Sequence, residues 1–281
     1  MSRAVPETTG LPAAPVRVAH IIHSLGPGGA ESVLVELADV AAAAGLELLV
    51  IALSPVPDPV HAASLRARGV PVVELDLPRW DPRAVPRTTA VLREHRVEVV
   101  HTHLKHADLV GAAAGRILGL PVVSTLHIVE TSPVGRVGRF KRGLGLVVRR
   151  RSAARTVAVS TAQREWYREL AGSERGLVVL PNGVGDPGLP DDAARSRVRT
   201  DLGVPPGRPL VVSAALMRPE KGHDLLLDAV SLLPADVTPV VALAGDGPLR
   251  GHLEQRVAAD PRLAECVRFL GYRDDVPALL G

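Results

Sequence analysis

Apolar runs of strand length alternate with apolar residues at helical spacing along most of the 281-residue chain. The run at 16–24 is followed by a glycine loop and by helical spacing over 30–44, which Gly45 ends. The same alternation predicts strands at 47–53, 70–75, 97–101, 121–126, 156–160 and 176–180, with helices at 59–68, 86–95, 105–118 and 161–170. Because parallel strands are joined by helical crossovers, this order predicts a doubly wound parallel sheet.

The pattern restarts in the stretch 210–230, where an apolar strand, a charged turn and a helix follow one another. A strand at 237–244, a helix at 249–259 and a strand at 267–270 come next. We therefore predict a disordered tail at 1–15, a first domain at 16–185, a connection at 186–209 with a helix at 192–202, and a second domain at 210–281. With about three strands, the second domain is predicted to be incomplete.

Composition narrows the class of protein. Hydrophobic residues make up 46% of the chain and charged residues 22%, which is typical of a globular protein. Aromatic residues make up 2%, too few to stack many bases, so no nucleic-acid partner is predicted. The single cysteine excludes an internal disulfide and a cysteine-cluster zinc site, and no signal peptide or apolar run of membrane-spanning length is evident. These features favour a cytoplasmic location.

Two cations in the turn after the 210–217 apolar run are candidate anion ligands. Arg218 and Lys221 lie between the carboxyl end of a predicted strand and the first turn of a predicted helix, whose N–H groups are unpaired. Phosphate is the expected anion. The alternative is a solvated arginine and lysine beside acidic neighbours.

The glycine loop at 26–31 has the strand before it and the helix after it that a phosphate-binding loop requires. Glu31 replaces the last small residue of the dinucleotide fingerprint, so an NAD site is not predicted. Glu31 would also repel an anion near the helix start, which lets a neutral sugar approach the loop as readily as phosphate. The alternative is a tight turn that needs glycine for its backbone geometry.

Histidines stand at the carboxyl ends of two predicted strands, where ligands bind in this architecture. His101 and His103 are two residues apart, so both imidazoles should lie on one side of their strand. No third ligand stands at a useful spacing, so hydrogen bonding is predicted there and no metal site. His127 follows the next strand and is suited to a hydrogen bond with a substrate hydroxyl or to proton transfer. The alternative for His127 is a partly buried structural residue.

The segment 135–155 is basic and amphipathic. Eight arginines and lysines are interleaved with apolar residues at helical spacing. Such a helix contacts an anionic membrane or an acidic acceptor. The alternative is that its apolar stripe belongs to the core and its charges are solvated.

Several short motifs, in this order and spacing, resemble family 4 retaining glycosyltransferases. They are GGAE at 28–31, HTH at 101–103, His127, VS at 159–160, PNGV at 181–184, RPEKGHDLLLDA at 218–229, AGDGP at 244–248 and FLG at 269–271. The resemblance implies a GT-B fold with two Rossmann-like domains facing a cleft. It also implies transfer of a sugar, with retained anomeric configuration, from a nucleotide-sugar to a glycan, lipid or small-molecule acceptor, without a bound metal or another cofactor.

The resemblance also implies roles for individual residues. Lys221 resembles the lysine that binds the donor diphosphate, and His127 resembles the histidine that contacts the transferred sugar. The family usually has an arginine five residues before that lysine, where this chain has Leu216, so Arg218 is the nearest substitute. The catalytic set is thus His127, Lys221 and Arg218. The remaining donor-side residues are Gly28, Gly29, Gly245, Asp246, Gly247, Tyr272 and Arg273, and the acceptor-side residues are Glu31, His101 and His103.

One family motif has no counterpart in these 281 residues. Two glutamates separated by seven residues usually follow the strand that would come after Gly281. We therefore expect the 281-residue chain to be truncated and impaired on its own. A nucleotide-sugar epimerase of related architecture, or a non-catalytic nucleotide- or glycan-binding protein, stays open as the alternative.

Overall fold

The structure is a computed structural model that describes residues 14–129, 135–185, 192–273 and 275–280. Within these ranges, the side chains of residues 136–138, 140–142 and 277 are not described. All of the predicted tail at 1–15 except residues 14 and 15 lies outside the described residues. The chain divides into two compact units, Met1–Gly185 and Asp186–Gly281.

The first unit is built on a seven-stranded parallel sheet with the strand order β3-β2-β1-β4-β5-β6-β7. Its strands are β1 (Val16–Ile22), β2 (Leu46–Ala52), β3 (Val72–Glu74), β4 (Val99–His103), β5 (Val122–Leu126), β6 (Ala153–Ala158) and β7 (Leu177–Val179). The order reverses between β1 and β4, and ligands of doubly wound sheets bind at the carboxyl ends of the strands beside such a reversal.

Helices cover both faces of this sheet. They are α1 (Gly29–Ala41), α2 (Val60–Ala67), α3 (Ala84–Glu94), α4 (Leu104–Leu118), α5 (Gly135–Ser152) and α6 (Thr161–Ala171). Successive residues of β1 belong to different cores, because Ile21 packs with residues of α3 and α4 and Ile22 packs with residues of α1 and α2. Burial on both faces explains why β1 and β2 are nearly continuous apolar runs.

Local signals set two helix boundaries, of which the end at Gly45 is predicted from the sequence. Gly45 takes a left-handed conformation, with φ of 69°, and ends the 3-10 turn Ala42–Ala44 that follows α1. The side chain of Ser160 accepts a hydrogen bond from the backbone N–H of Gln163, which makes Ser160 the N-cap of α6.

The second unit contains a smaller parallel sheet, with three strands among residues 192–273 and 275–280, in the order β10-β9-β8. Its elements are α7 (Asp192–Asp201), β8 (Leu210–Ala214), α8 (His223–Ser231), β9 (Val240–Ala244), α9 (Arg250–Ala259), α10 (Pro261–Cys266), β10 (Val267–Gly271) and α11 (Val276–Leu280). Every residue of the central strand β9 is buried, and Met217, Leu227, Leu243 and Leu253 are the largest buried side chains around it.

Two predictions of secondary structure are corrected. The basic helix ends at Ser152, and Arg155 lies in β6, because the strand begins early where Ala153 pairs with Val122 of β5. The helices α10 and α11 were not predicted, although Asp260 before Pro261 is a helix-start signal and the Asp260 side chain accepts from the N–H of Arg262. In the described part of the chain, no helix is both long and apolar enough to cross a bilayer.

Candidate functional site

The histidines of the HTH motif end β4 at the reversal of strand order. His101 and His103 lie on the same side of the strand, with ring centroids 4.5 Å apart, as the alternation predicts. Thr102 lies on the opposite side, where its hydroxyl donates to Asp108 at 2.5 Å. Leu104 takes a φ of 71°, uncommon for leucine, and the chain turns into α4 directly after His103.

Two more imidazoles complete a cluster with these histidines. His20 of β1 is in register with His101, and its Nδ1 lies 2.9 Å from Nε2 of His103. His127 follows β5, and its Nε2 lies 2.8 Å from Nδ1 of His103. His101 hydrogen-bonds through Nε2 to the hydroxyl of Thr125 at 2.7 Å. The sequence prediction missed His20, which stands inside an apolar run.

Burial keeps this cluster neutral. Loss of hydration lowers the pKa of His20 and His103 well below the usual 6.5, and it lowers the pKa of His101 and His127 to about 4. The neighbouring imidazoles lower the pKa of His103 further, and the carboxylate of Asp108 opposes the shift at His101 and His127. At neutral pH each ring therefore offers one N–H donor and one acceptor nitrogen.

The argument against a metal site from sequence spacing needs correction. His20 supplies the third imidazole, and ring nitrogens of His20, His101 and His103 lie within 4.8 Å of one another. However, His103 already hydrogen-bonds through both nitrogens, to His20 and His127. A metal ion bound by His103 would have to replace one of these hydrogen bonds, because a coordinating nitrogen uses the same lone pair.

A buried ion pair lies on the other side of β4 and β5. Asp108 of α4 and Arg149 of α5 pair while only 2% and 7% exposed, and the Ser124 hydroxyl donates to Asp108 at 2.7 Å. Arg149 Nε also donates to the Ser124 oxygen at 3.0 Å. These contacts fasten the basic helix to the sheet. The sequence prediction grouped Arg149 with the other cations of the segment and did not single out Asp108.

The glycine loop leads into α1. Gly28 is the N-cap of this helix in an extended conformation, and Gly29 is its first residue. A Cβ atom at Gly29 would meet no atom within 4 Å, whereas a Cβ atom at Gly28 would overlap the Glu31 carboxylate. Neither glycine has a positive φ, so backbone geometry does not require glycine there. The open side of Gly29 leaves room for a ligand beside the start of α1.

The described part of α5 differs from an ordinary amphipathic helix whose apolar stripe is buried. Gly145 and Arg149 are buried, whereas Leu144 and Val147 are 42% and 44% exposed. Arg139, Arg150 and Arg151 are exposed too, so this surface combines apolar side chains with cations. The alternative that places the apolar stripe in the core is wrong for Leu144 and Val147. Lys141, Arg136 and Arg142 lie among the side chains that the structure does not describe.

In the second unit, a 3-10 turn at Pro219–Lys221 joins β8 to α8. Arg218 and Lys221 are exposed and form no ion pair within the described residues 192–273 and 275–280. His223, the first residue of α8, is 2% exposed, and both its ring nitrogens lack a hydrogen-bond partner there. Burial lowers its pKa, and Lys221 lowers it further, against the opposing effect of Asp224. The prediction missed His223, although it stands in the RPEKGHD stretch.

The other predicted donor-side residues of this unit lie in loops after β9 and β10. Gly245 and Gly247 have φ of 145° and 155°, and Cβ atoms there would lie 2.1 and 2.7 Å from the carbonyl oxygens of Ala215 and Met217. The N–H of Gly247 and the guanidinium of Arg250 hold the pKa of Asp246 below its usual value. Close backbone packing therefore explains both glycines. Tyr272 is 44% exposed.

Arg273 differs from the cations of the 3-10 turn because it already has an acidic partner. Its Nε donates to Asp275 at 2.7 Å. A ligand that binds Arg273 would compete with this carboxylate.

The chain matches two families of known proteins, one in each unit. The Glycosyltransferase Family 4 profile matches residues 27–186, and the "Glycosyl transferases group 1" profile matches residues 208–281. The 2-deoxystreptamine N-acetyl-D-glucosaminyltransferase of Streptomyces fradiae is 31% identical over 72% of this chain. The phosphatidyl-myo-inositol mannosyltransferase of Mycobacterium leprae is 28% identical over 89% of it. The chain spans 51% and 64% of the length of these two relatives.

Solved structures share the fold. Anabaena Alr3699/HepE in complex with UDP and glucose matches with a TM-score of 0.79 and 22% identity over 94% of this chain and 72% of its own. WaaG, a glycosyltransferase involved in lipopolysaccharide biosynthesis, matches with a TM-score of 0.66 and 17% identity over 94% of this chain and 72% of its own. The architecture is that of the GT-B glycosyltransferases. Since the Glycosyltransferase Family 4 profile covers more than half of the chain, the protein belongs to glycosyltransferase family 4.

Proposed function

We propose that the protein transfers a sugar from a nucleoside-diphosphate sugar to an acceptor with retention of anomeric configuration. The observation that carries the proposal is the position of His127 after β5, half-buried and hydrogen-bonded to the buried His103. A neutral imidazole suits a hydrogen bond to a sugar hydroxyl. The relatives named above are glycosyltransferases, and the HepE complex contains UDP and glucose.

The cations of the second unit are the proposed ligands of the donor diphosphate. Negative charge develops on the diphosphate as the bond to the sugar breaks, and a fixed cation stabilises it there. Lys221 and Arg218 are exposed in the turn before α8, where the first N–H groups of the helix also favour an anion. Gly245, Asp246, Gly247, Tyr272 and Arg273 are the proposed neighbours of the rest of the nucleotide.

A binding and turnover experiment tests this proposal. Calorimetry and release of nucleoside diphosphate are measured with UDP-glucose, UDP-N-acetylglucosamine and GDP-mannose, on the 281-residue chain and on any longer product of the same reading frame. We expect Lys221→Ala to weaken binding of the preferred donor about tenfold, as loss of a charge-assisted contact does. Arg197→Ala, which removes an exposed cation of α7, is the matched control and should bind normally.

The outcomes separate the alternatives. Binding without release or transfer by any form of the protein would favour the non-catalytic nucleotide-binding protein. Conversion of one nucleotide-sugar into its epimer would favour the epimerase. Equal donor affinity for wild type and Lys221→Ala would refute the role of Lys221.

For the acceptor, we propose a substrate held at an anionic membrane surface that the protein contacts from the cytoplasmic side through 135–155. Leu144, Val147 and Arg151 follow one another at spacings of three and four residues, so they share one face of α5, and all are exposed. Each cation near such a surface contributes about 1 kcal/mol. The Mycobacterium leprae relative is named as a phosphatidyl-myo-inositol mannosyltransferase, which fits a lipid acceptor; glycans and small molecules are the other acceptor classes.

Vesicle sedimentation tests the membrane contact. We expect binding to vesicles that contain phosphatidylglycerol, weaker binding as salt rises, and loss of binding in Arg150→Glu with Arg151→Glu. The control, Arg93→Glu with Arg116→Glu, makes the same change of charge at exposed positions of α3 and α4. Equal loss in both double variants would show a general charge effect and refute a contact through α5.

A further inference from the structure

Three imidazoles form one hydrogen-bonded chain that runs from the buried sheet to the proposed sugar-contacting residue. His103 lies in the middle, with Nε2 2.9 Å from Nδ1 of His20 and Nδ1 2.8 Å from Nε2 of His127. His20 and His103 are only 3% and 1% exposed, whereas His127 is half-buried. The nitrogen of His127 outside this chain is Nδ1.

Proton counting links the three rings. A neutral imidazole carries one hydrogen, so His103 must donate through one nitrogen and accept through the other. If His103 donates to His127, the hydrogen of His127 is on Nδ1. If His103 accepts from His127, Nδ1 of His127 is bare. In both arrangements the three rings have the same tautomer. The position of the hydrogen on His20, at the far end, is therefore fixed together with that on His127.

The neighbouring polar groups have other hydrogen-bond partners and do not interrupt the hydrogen bonds among His20, His103 and His127. His101 has its ring centroid 4.8 Å from that of His20, but it hydrogen-bonds to Thr125 instead. The oxygens of Asp108 accept from Thr102, Ser124 and Arg149, so this carboxylate acts on the imidazoles only through its charge.

We propose that His103 and His20 are positioning residues that fix the tautomer of His127, and that they thereby decide whether its Nδ1 donates to the sugar or accepts from it. The proposal rests on the proposed function for the identity of the ligand. The order of the hydrogen bonds among the three imidazoles is a property of the protein without a ligand. When the order is fixed beforehand, sugar binding does not carry the free-energy cost of selecting one tautomer of His127.

Nitrogen NMR on the 281-residue chain labelled with ¹⁵N-histidine tests the order without any donor present. At pH 7 we expect the ring nitrogens of His20, His103 and His127 to show one common neutral tautomer. A scalar coupling should join Nε2 of His127 to Nδ1 of His103 across their hydrogen bond. Averaged shifts for the two nitrogens of His127 would overturn the proposal. Stoichiometric zinc bound through these rings would also overturn it, because the metal would take a nitrogen that forms one of the hydrogen bonds between the imidazoles.

A pair of variants on β1 and the residue after it separates positioning from general structural damage. His20→Leu removes the imidazole farthest from His127 and leaves the contact between His103 and His127 in place. We expect the chemical shifts of the two His127 nitrogens to become averaged. His23→Leu removes another imidazole contact, that of His23 with His106 at 3.1 Å, and should leave the His127 signals unchanged. The signals of His61, in α2, report whether each variant is folded. A fixed His127 tautomer in folded His20→Leu would overturn the role of His20.

Ligand binding gives a second readout. In His20→Leu we expect about fivefold weaker binding of the preferred nucleotide-sugar and unchanged binding of its nucleoside diphosphate, because only the sugar meets His127 and a net hydrogen bond contributes about 1 kcal/mol. Equal weakening of both ligands would refute positioning and indicate structural damage. If no donor binds the wild type, the proposed function fails, while the NMR result still decides the order of the imidazoles.

Discussion

The buried pair of Asp108 and Arg149 leads to a quantitative prediction about stability. Asp108→Ala leaves the Arg149 charge buried without its carboxylate, and it removes an acceptor of the Thr102 and Ser124 hydroxyls. Removing one partner of a buried pair costs about 3–5 kcal/mol. In a protein of this size that corresponds to a melting temperature lower by roughly 6–20 °C. We therefore expect the free energy of unfolding of Asp108→Ala to be lower than that of the wild type by about 3–5 kcal/mol.

Urea unfolding followed by tryptophan fluorescence measures this change selectively. The two tryptophans, Trp80 and Trp166, both lie in the first unit, so their signal reports the unit that contains the ion pair. Asp39→Ala is the control, because its carboxylate is 51% exposed in its pair with Arg68 and should contribute at most about 1 kcal/mol.

A double variant separates the missing charge from the lost packing. Asp108→Leu with Arg149→Met replaces the pair by apolar side chains and should recover most of the lost stability, since such replacements are often neutral or stabilising. If Asp108→Ala costs no more than Asp39→Ala, the reasoning from burial is wrong. If the double variant is as unstable as Asp108→Ala, the cost lies in packing or in the hydroxyls of Thr102 and Ser124, and not in an unpaired charge.

Two further predictions concern protonation and backbone geometry. Because burial keeps the pKa of His101 and His127 at about 4 while unfolded histidines bind protons near pH 6.5, the free energy of unfolding should fall as pH decreases from about 7 to 5. The expected slope is up to roughly 1.4 kcal/mol per pH unit for each such histidine, and pH-independent urea midpoints across this range would contradict it. Gly245→Ala should destabilise the second unit by at least about 1 kcal/mol, because its Cβ would overlap Ala215, whereas Gly251→Ala in α9, with no atom within 4 Å, should stabilise by about 0.5–1 kcal/mol. Amide hydrogen exchange of β9 measures the stability of the second unit in both variants. Equal protection in the two variants would refute the argument.

Partial coverage of the relatives bears on how the activity should be tested. The profile matches extend to residue 281, and the chain spans 51% of the length of the Streptomyces fradiae relative. Impaired turnover of the 281-residue chain stays a prediction, which donor binding and release of nucleoside diphosphate, measured side by side, will decide. The tests on the histidines and on Asp108 use the described first unit and do not depend on turnover.

Hydrophobic periodicity, which is local, was sufficient to predict most of the architecture. Alternating apolar runs and helical spacing gave the order of strands and helices, and glycine signals gave ends such as Gly45. Elements whose signals are short or ambiguous were missed. The six-residue helix α10 is one example, and the alanines that open β6 are another, because they become a strand through pairing with β5.

The sequence by itself determined the fold class, the family resemblance and the strand ends at which His101, His103 and His127 stand, because the order of elements and motifs along the chain can be read without knowing which side chains meet. Only the tertiary structure decided which side chains meet. His20 and His103 are 83 residues apart, and Asp108 and Arg149 are 41 apart. These contacts depend on strand order and register across the sheet, which periodicity within one element does not specify.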